Sequence, residues 1–275
     1  MLFGLLGNPI GRSWSEVLFN KLFKMEENEH VYTAINISRS SIAHFMQNAP
    51  KYFDGLNVTI PYKEDVLMYV RDKDPLVWKA EVSNVIKREG EGFTAFNTDY
   101  FGLEQLFKSN SINLNGKRIA VAGSGGVSKI LIFFIITNYS PEILHVFTRN
   151  QNDTEKRIVG TWQYDNLKIR SYDKVQQYDI LINCTPLGMN SKDESPFHSG
   201  FFSTGSRAID LTYQNNETNF MKIAIDKGGR GINGRDMFFS QAKESYRIFF
   251  DRNPEEKLFK RACEEVIQWS IENLR

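Results

Sequence analysis

The chain has 275 residues, of which 41% are hydrophobic and 24% charged, and its net charge is +1. That length is long for one domain and comfortable for two, and so small a charge argues against a broad footprint for nucleic acid or an anionic membrane. Two cysteines far apart, Cys184 and Cys263, argue against a disulfide framework and suit a reducing cytoplasm, and no apolar run approaches the roughly 20 residues of a membrane-spanning helix.

Residues 2–6 are a short apolar run ending in Gly7-Asn8-Pro9, the pattern of a strand and a turn. The spacing of Val17, Leu18, Leu22 and Phe23 predicts a helix over 16–25, and alternation predicts a strand over 31–37. Ser40 or Ser41 can cap a helix carrying Ile42, Phe45 and Met46. The next strand, 56–60, stops at Pro61, which cannot donate to a sheet. Lys63 follows on the lip of that strand, where a lysine can give or take a proton; the plainer alternative is a surface lysine opening a helix over 63–67. Segments 66–70 and 75–80 look helical, and 85–96, broken at Gly90-Glu91-Gly92, reads as a hairpin. A helix over 99–107, with Asn97 and Thr98 as candidate caps, leads away from this unit, and the polar segment 113–117 marks the crossing into a second.

The second stretch alternates afresh: strand 118–122, helix 127–137, strand 143–147, then short strands at 167–169, 180–184 and 208–211. A helix over 220–226 ends at Gly228-Gly229, and 237–274 is mostly helical with Asn253-Pro254 as a start signal. Strands alternating with helices make this an α/β chain. No internal repeat or low-complexity segment appears.

Gly123, Ser124, Gly125 and Gly126 lie between a strand and a helix opening at Val127, the order of a dinucleotide site. Glycines let the backbone turn sharply and approach a pyrophosphate, whose charge sits on the helix N-terminus. Ser128 stands where the commonest form of that motif has Gly or Ala. The following strand ends in Thr148, Arg149 and Asn150, with no carboxylate until Asp153. A carboxylate there would bind the ribose hydroxyls of NAD, whereas an arginine fork faces the 2′-phosphate of NADP. NADP is therefore favoured; the plainer reading of Arg149 is a solvent-facing side chain.

In chain order these pieces form a longer series. Gly7-Asn8-Pro9-Ile10 leads to Ser13 and Ser15, followed by Asn57-Val58-Thr59-Ile60-Pro61-Tyr62-Lys63, Ser83-Asn84-Val85 and Asn97-Thr98-Asp99. After the glycine turn come Asn183-Cys184-Thr185-Pro186-Leu187-Gly188-Met189, Asp210-Leu211-Thr212-Tyr213 and Asn233-Gly234 up to Gln241-Ala242. The ordered set closely resembles the shikimate dehydrogenase family.

The resemblance implies a two-domain α/β fold. An N-terminal α/β substrate domain covers 1–101 and is rejoined by the C-terminal helices, 235–275; a Rossmann-like NADP-binding domain covers 102–234, with the active site in the cleft. It implies reversible, NADPH-dependent reduction of 3-dehydroshikimate to shikimate, on the route to chorismate and the aromatic amino acids. The implied partners are a small-molecule substrate and NADP(H), with no metal, nucleic acid or membrane, in a monomer or homodimer. By the same resemblance Lys63 and Asp99 handle the proton, Ser13 and Ser15 hold the substrate carboxylate, and Thr59, Asn84, Asp99 and Gln241 meet the ring hydroxyls. Tyr213 is a further substrate contact. Gly123 to Val127, Thr148, Arg149 and Asn150 hold the cofactor, with Leu211 and Gly234 at its nicotinamide end.

Each polar residue also has a plainer reading as a cap or turn residue, Ser15 as a helix cap among them. Two departures stand out: Trp14 replaces a common lysine and Glu16 a common proline, and a bulky Trp14 could reshape the pocket mouth. Two other readings stay open, an NAD-preferring quinate/shikimate dehydrogenase and a catalytically silent binding homologue. His30, His44, His145 and His198 show no ligand spacing, and Cys184 reads as core rather than nucleophile.

Overall fold

The computed structural model describes residues 1–273 apart from 12, 156, 157, 159, 160, 163 and 191; residue 274, the end of the anticipated helical tail, lies outside the described residues. The chain splits into two compact units, Met1–Phe101 with Phe239–Arg275, and Gly102–Phe238.

The first unit begins β1 (Leu2–Gly7), α1 (Trp14–Met25), β2 (Val31–Asn36), α2 (Ile42–Asn48) and β3 (Gly55–Val58). It continues through β4 (Asp72–Lys73), α3 (Pro75–Ala80), β5 (Val85–Glu89), β6 (Gly92–Phe96) and the start of α4 (Asp99–Ser109). The sheet order is β2-β1-β3-β5-β6-β4. β1 runs parallel to β2 and β3, β5 is antiparallel to β3 and β6, and β4 is parallel to β6. These directions bring the carboxyl ends of β1, β3 and β6 and the amino end of β5 to one edge of the sheet. The hairpin anticipated at 85–96 is the β5–β6 pair, with Gly90 at φ +63° in its turn.

Side chains of α1 close the open edge of β2. Asn20 accepts from Tyr32 N at 2.9 Å and donates to Tyr32 O at 2.7 Å, and Glu16 Oε1 accepts from Ala34 N at 3.1 Å. Covering an edge in this way removes a template for unwanted pairing. Glu16 thus has a structural partner in the sheet. Trp14 is 1% exposed with its ring 6.1 Å from Phe239, so it lies in the core and not at a pocket mouth. One face of the sheet buries Leu6, Leu56, Val58 and Ile86 with Ile42 and Met46 of α2. Phe3 packs instead against Phe23, Phe249 and Phe250.

The second unit holds the rest of α4, then β7 (Arg118–Ala122), α5 (Gly126–Asn138), β8 (Ile143–Phe147), α6 (Gln151–Thr154), β9 (Leu167–Arg170) and β10 (Tyr178–Asn183). It goes on through β11 (Phe202–Asp210), α7 (Asn219–Asp226), β12 (Arg230–Asn233) and the first turn of α8 (Arg235–Phe250); the remainder of α8 and α9 (Glu256–Asn273) return to the first unit. Its sheet, β12-β11-β10-β7-β8-β9, is parallel throughout. The chain starts in the middle at β7, runs outward through β8 and β9, then restarts on the other side at β10. That is the doubly wound order, with its switch point between β7 and β10. One face is an aromatic layer of Phe147, Tyr178, Phe197, Phe201, Phe202 and Phe220. α5 buries Ile130, Leu131, Ile132, Phe134 and Ile135, as a helix apolar on nearly every side must.

Several elements differ from the sequence expectation. β11 starts six residues early, in the polar run Phe202 to Arg207, and β12 was not anticipated at all. β12 carries one buried apolar residue, Ile232, and a Gly231 whose missing Cβ would lie 2.7 Å from Met221 Cβ. Residues 66–70 hold only a 3-10 turn, Asp65–Met68, and Cys184 sits one residue beyond β10. Ser41 occupies the cap position of α2 without capping it; its hydroxyl meets Ser38 at 3.0 Å instead. Among the described residues no helix is long and apolar enough to cross a membrane.

Candidate active site

At the shared sheet edge of the first unit, four chain segments deliver polar side chains to one place. The turn after β3 carries Lys63, whose backbone O accepts from Ser83 N at 2.8 Å, tying it to the residues that open β5. Asn84 lies just ahead of β5, with its backbone O taking Val58 N at 2.8 Å. Asp99 is the first residue of α4, directly after β6, where Asn97 Oδ1 accepts from Tyr100 N at 3.1 Å and performs the capping anticipated for it. Gln241 comes from α8.

These side chains form one hydrogen-bonded cluster. Lys63 Nζ donates to Asp99 Oδ2 at 2.5 Å, and both residues are buried, 7% and 5% exposed. Asn84 Nδ2 donates to Asp99 Oδ1 and to Thr98 Oγ1, each at 2.9 Å, while Asn84 Oδ1 accepts from Thr98 N at 2.7 Å. Thr98 Oγ1 lies 3.2 Å from Gln241 Oε1, and Asn84 Nδ2 lies 3.5 Å from the same oxygen. Lys63 is therefore not a surface residue opening a helix. Charge-assisted hydrogen bonds of this kind fix a cation in place and orient its proton.

Thr59 follows β3 and is half-buried. Gly7 lets it approach: a Cβ there would fall 2.5 Å from Thr59 Cγ2 and 2.9 Å from Ile60 O. Ser13 is the N-cap of α1, accepting from Glu16 N at 3.3 Å, so the capping role weighed for Ser15 belongs to Ser13. Ser13 and Ser15 are both 9% exposed. Among the described residues neither hydrogen-bonds into the Lys63 cluster. Thr98, Asn57 and Ser245 carry no site assignment from the sequence, yet all three are in the same polar network. One signal was available: Asn57 is the single polar residue in the fully buried strand β3.

The second unit places the glycine turn at its switch point. Gly123 has φ +100° and donates to Phe147 O at 2.9 Å; a Cβ on it would meet Thr185 Cγ2 at 3.1 Å and Cys184 O at 3.3 Å. Only glycine fits comfortably there. Ser128 is fully buried and donates to Gly123 O at 2.7 Å. The residue that departs from the commonest motif thus fastens the turn. A Cβ on Gly125, the N-cap of α5, would meet nothing within 4 Å. The helix N-terminus is therefore open to an anion.

Beside it, Thr148 is buried and touches Ser124 Oγ at 3.2 Å, Asn150 caps α6, and Arg149 is exposed. The loops after β10 and β11 are knotted around Asp210, which is fully buried. Its Oδ1 accepts from Asn183 at 3.0 Å and from Thr212 N and Oγ1 at 3.1 and 2.9 Å, and its Oδ2 accepts from Thr218 at 2.7 Å. Burial pushes its carboxyl above the usual range against those donors. Gly234 donates to Thr212 O at 2.9 Å, and a Cβ on it would lie 2.5 Å from Leu211 O. Tyr213 stacks on Phe238, ring centroids 4.4 Å apart, and Arg235 Nε donates to Tyr213 O at 3.1 Å. Desolvation, then the nearby Asp210, pushes the Cys184 thiol up, so it is no thiolate at neutral pH.

Residues 5–86 match the model for the shikimate dehydrogenase substrate binding domain. A protein of Thermoplasma acidophilum named shikimate dehydrogenase (NADP(+)) is 30% identical over 256 residues, covering 92% of each chain. One of the same name from Ignicoccus hospitalis is 30% identical over 254 residues, covering 92% of this chain and 95% of its own. The crystal structure of shikimate dehydrogenase 1 from Peptoclostridium difficile superposes with a TM-score of 0.83 at 27% identity, covering 98% of this chain and 99% of its own. The chain belongs to the shikimate dehydrogenase family.

Proposed function

We propose that the chain is an NADP-dependent shikimate dehydrogenase that reversibly reduces 3-dehydroshikimate to shikimate. The observation that carries this reading is the buried Lys63–Asp99 pair, linked through Asn84 and Thr98 to Gln241, in a chain of this family. Substrate is assigned to residues 1–101 with the C-terminal helices from about 235, and cofactor to residues 102–234.

The residues present suit NADP. Gly123, Ser124, Gly125, Gly126 and Val127 would hold its pyrophosphate at the open N-terminus of α5, where no Cβ stands in the way. Thr148, Arg149 and Asn150 would hold the 2′-phosphate, and the strand end carries no carboxylate before Asp153. Leu211 and Gly234 would face the nicotinamide, Leu211 as an apolar wall. When bound, NADPH supplies the hydride.

Hydride addition to the substrate ketone leaves an alkoxide, which needs a proton and a nearby positive charge. The Lys63 ammonium meets both needs, donating its proton to the alkoxide oxygen. Asp99 aims that ammonium and accepts a substrate hydroxyl. Thr59, Asn84 and Gln241 take the remaining ring hydroxyls, Ser13 and Ser15 take the substrate carboxylate, and Tyr213 is a further substrate contact. A site built to pair each hydroxyl rejects analogues lacking one, because its own buried groups would be left unpaired. In the oxidation direction Lys63 receives the alcohol proton.

Arg149 and the missing carboxylate weigh against the NAD-preferring alternative, and the two relatives quoted above are named for NADP(+). The intact Lys63–Asp99 pair weighs against a silent homologue. The test is to add shikimate and NADP+ and follow NADPH formation, with quinate and NAD+ as parallel arms. Turnover with shikimate and NADP+ supports the reading. Turnover confined to NAD+, or none in any arm, contradicts it.

A further inference from the structure

Behind the proposed substrate groups, the hydrogen-bonded cluster continues into the core. Tyr32, 1% exposed, donates its hydroxyl to Asn57 Oδ1 at 2.8 Å. Asn57 Nδ2 donates to Ser245 Oγ at 2.9 Å. Ser245, fully buried on α8 one turn beyond Gln241, donates to Gln241 O at 2.8 Å and lies 3.1 Å from Thr98 Oγ1. The donors can be followed in order. The Ser245 proton goes to the Gln241 carbonyl, so its oxygen is an acceptor for both Asn57 and Thr98. Thr98 Oγ1 already accepts from Asn84, and its own proton is shared between Ser245 Oγ at 3.1 Å and Gln241 Oε1 at 3.2 Å. With Oε1 turned towards Thr98 and Asn84, the amide flip of Gln241 is set, and its Nε2 points away from them.

We propose that Ser245, held by Asn57, is a positioning residue for recognition of the substrate hydroxyls: it fixes the Thr98 hydroxyl and, through it, the carboxamide of Gln241. The proposal rests on the assignment of Gln241 and Asn84 to those hydroxyls. Ser245 touches neither the reacting proton pair nor any proposed cofactor residue. Its loss gives the Thr98 proton wholly to Gln241 Oε1, which draws the carboxamide off its set position and weakens substrate recognition, while no hydrogen bond of Lys63 or Asp99 is removed. A buried network in which every member is satisfied specifies one arrangement of its polar groups; one in which a member is removed does not.

The experiment compares wild type with Ser245→Ala and Ser245→Thr, the second keeping the hydroxyl. For each, kcat, the KM values for shikimate and NADP+, and discrimination against a shikimate analogue lacking one ring hydroxyl are measured. Ser245→Ala should raise the shikimate KM about tenfold, the scale of one lost net hydrogen bond. The NADP+ KM should not move, kcat should change by less than about threefold, and discrimination against the deoxy analogue should shrink. Ser245→Thr should restore most of the shikimate KM. Tyr32→Phe, at the far end of the chain, gives a milder version of the same split and stands in should Ser245→Ala fail to fold. A merely structural role predicts less folded enzyme, with kcat per total protein reduced and the shikimate KM unchanged; that result in either variant overturns the proposal. A wild type that is inactive with shikimate overturns the underlying assignment, and is distinguishable because it precedes any variant.

Discussion

Lys63 and Asp99 are each the other's charge partner, which shapes what their variants do. Lys63→Ala should lower kcat about 10²–10⁴-fold, the usual range for a general acid or base. It also leaves the Asp99 carboxylate buried with Asn84 as its remaining side-chain donor among the described residues. Breaking a buried pair costs roughly 3–5 kcal/mol, so the melting temperature should fall as well. Turnover must accordingly be read below the variant's own melt, followed by circular dichroism. Near-normal turnover in folded Lys63→Ala would remove the proton assignment. Arg149 is a separate case: exposed at the end of β8, with no hydrogen bond or ion pair to another described residue. Arg149→Ala should raise the NADPH KM by the equivalent of roughly 1.5–3 kcal/mol and leave the NADH KM nearly unchanged. Equal weakening of both cofactors would make it a structural residue.

Among the elements, α1 separates two roles that its serines could share. Ser13 caps the helix, so Ser13→Ala should lose about 1 kcal/mol of stability in addition to raising the substrate KM. Ser15, inside the helix, should raise the KM with little change in stability. The two are told apart by chemical denaturation beside kinetics, and a KM unchanged in both variants would place the substrate carboxylate elsewhere. The same helix shows where the sequence was legible and where it was not. Apolar spacing at Val17, Leu18, Leu22 and Phe23 revealed the helix, because periodicity reports which face is buried. It did not reveal that Glu16 and Asn20 close the β2 edge, since a tertiary hydrogen bond leaves no period. β7 and β8 were legible to the residue because both are buried apolar runs. β12 was not, because its pairing with β11 comes from the backbone, under a glycine that Met221 requires. The candidate site was legible as residue types in order. Of the residues behind it, Asn57 left one signal, a polar residue inside a buried strand, while Thr98 and Ser245 left none, because the partners that join them lie far apart in the chain.

For the whole molecule, stability should depend on pH through a buried histidine. His145 on β8 is 4% exposed, with Nδ1 2.7 Å from the Tyr178 hydroxyl. Burial, then Arg170, Lys168 and Arg118, lowers its pKa from 6.5 to about 4. Because the folded pKa is depressed, the unfolded chain takes the proton first. His145 therefore leaves stability undiminished above about pH 6.5 and reduces it progressively as the pH falls towards 4. Asp210, whose carboxyl is raised, acts in the opposite sense above the ordinary aspartate pKa, so the wild-type slope is a sum. Comparison with His145→Gln isolates one part: as the pH falls from 6.5 to 4 the variant should lose less stability than the wild type, and parallel curves would contradict the assignment. The central claim concerns the reaction itself, and one measurement meets it directly: NADPH oxidation by the wild type and by folded Lys63→Ala, each given 3-dehydroshikimate. The account predicts rapid oxidation by the wild type and a loss of about two to four orders of magnitude in the variant. No oxidation by the wild type, or equal rates for both proteins, would contradict it.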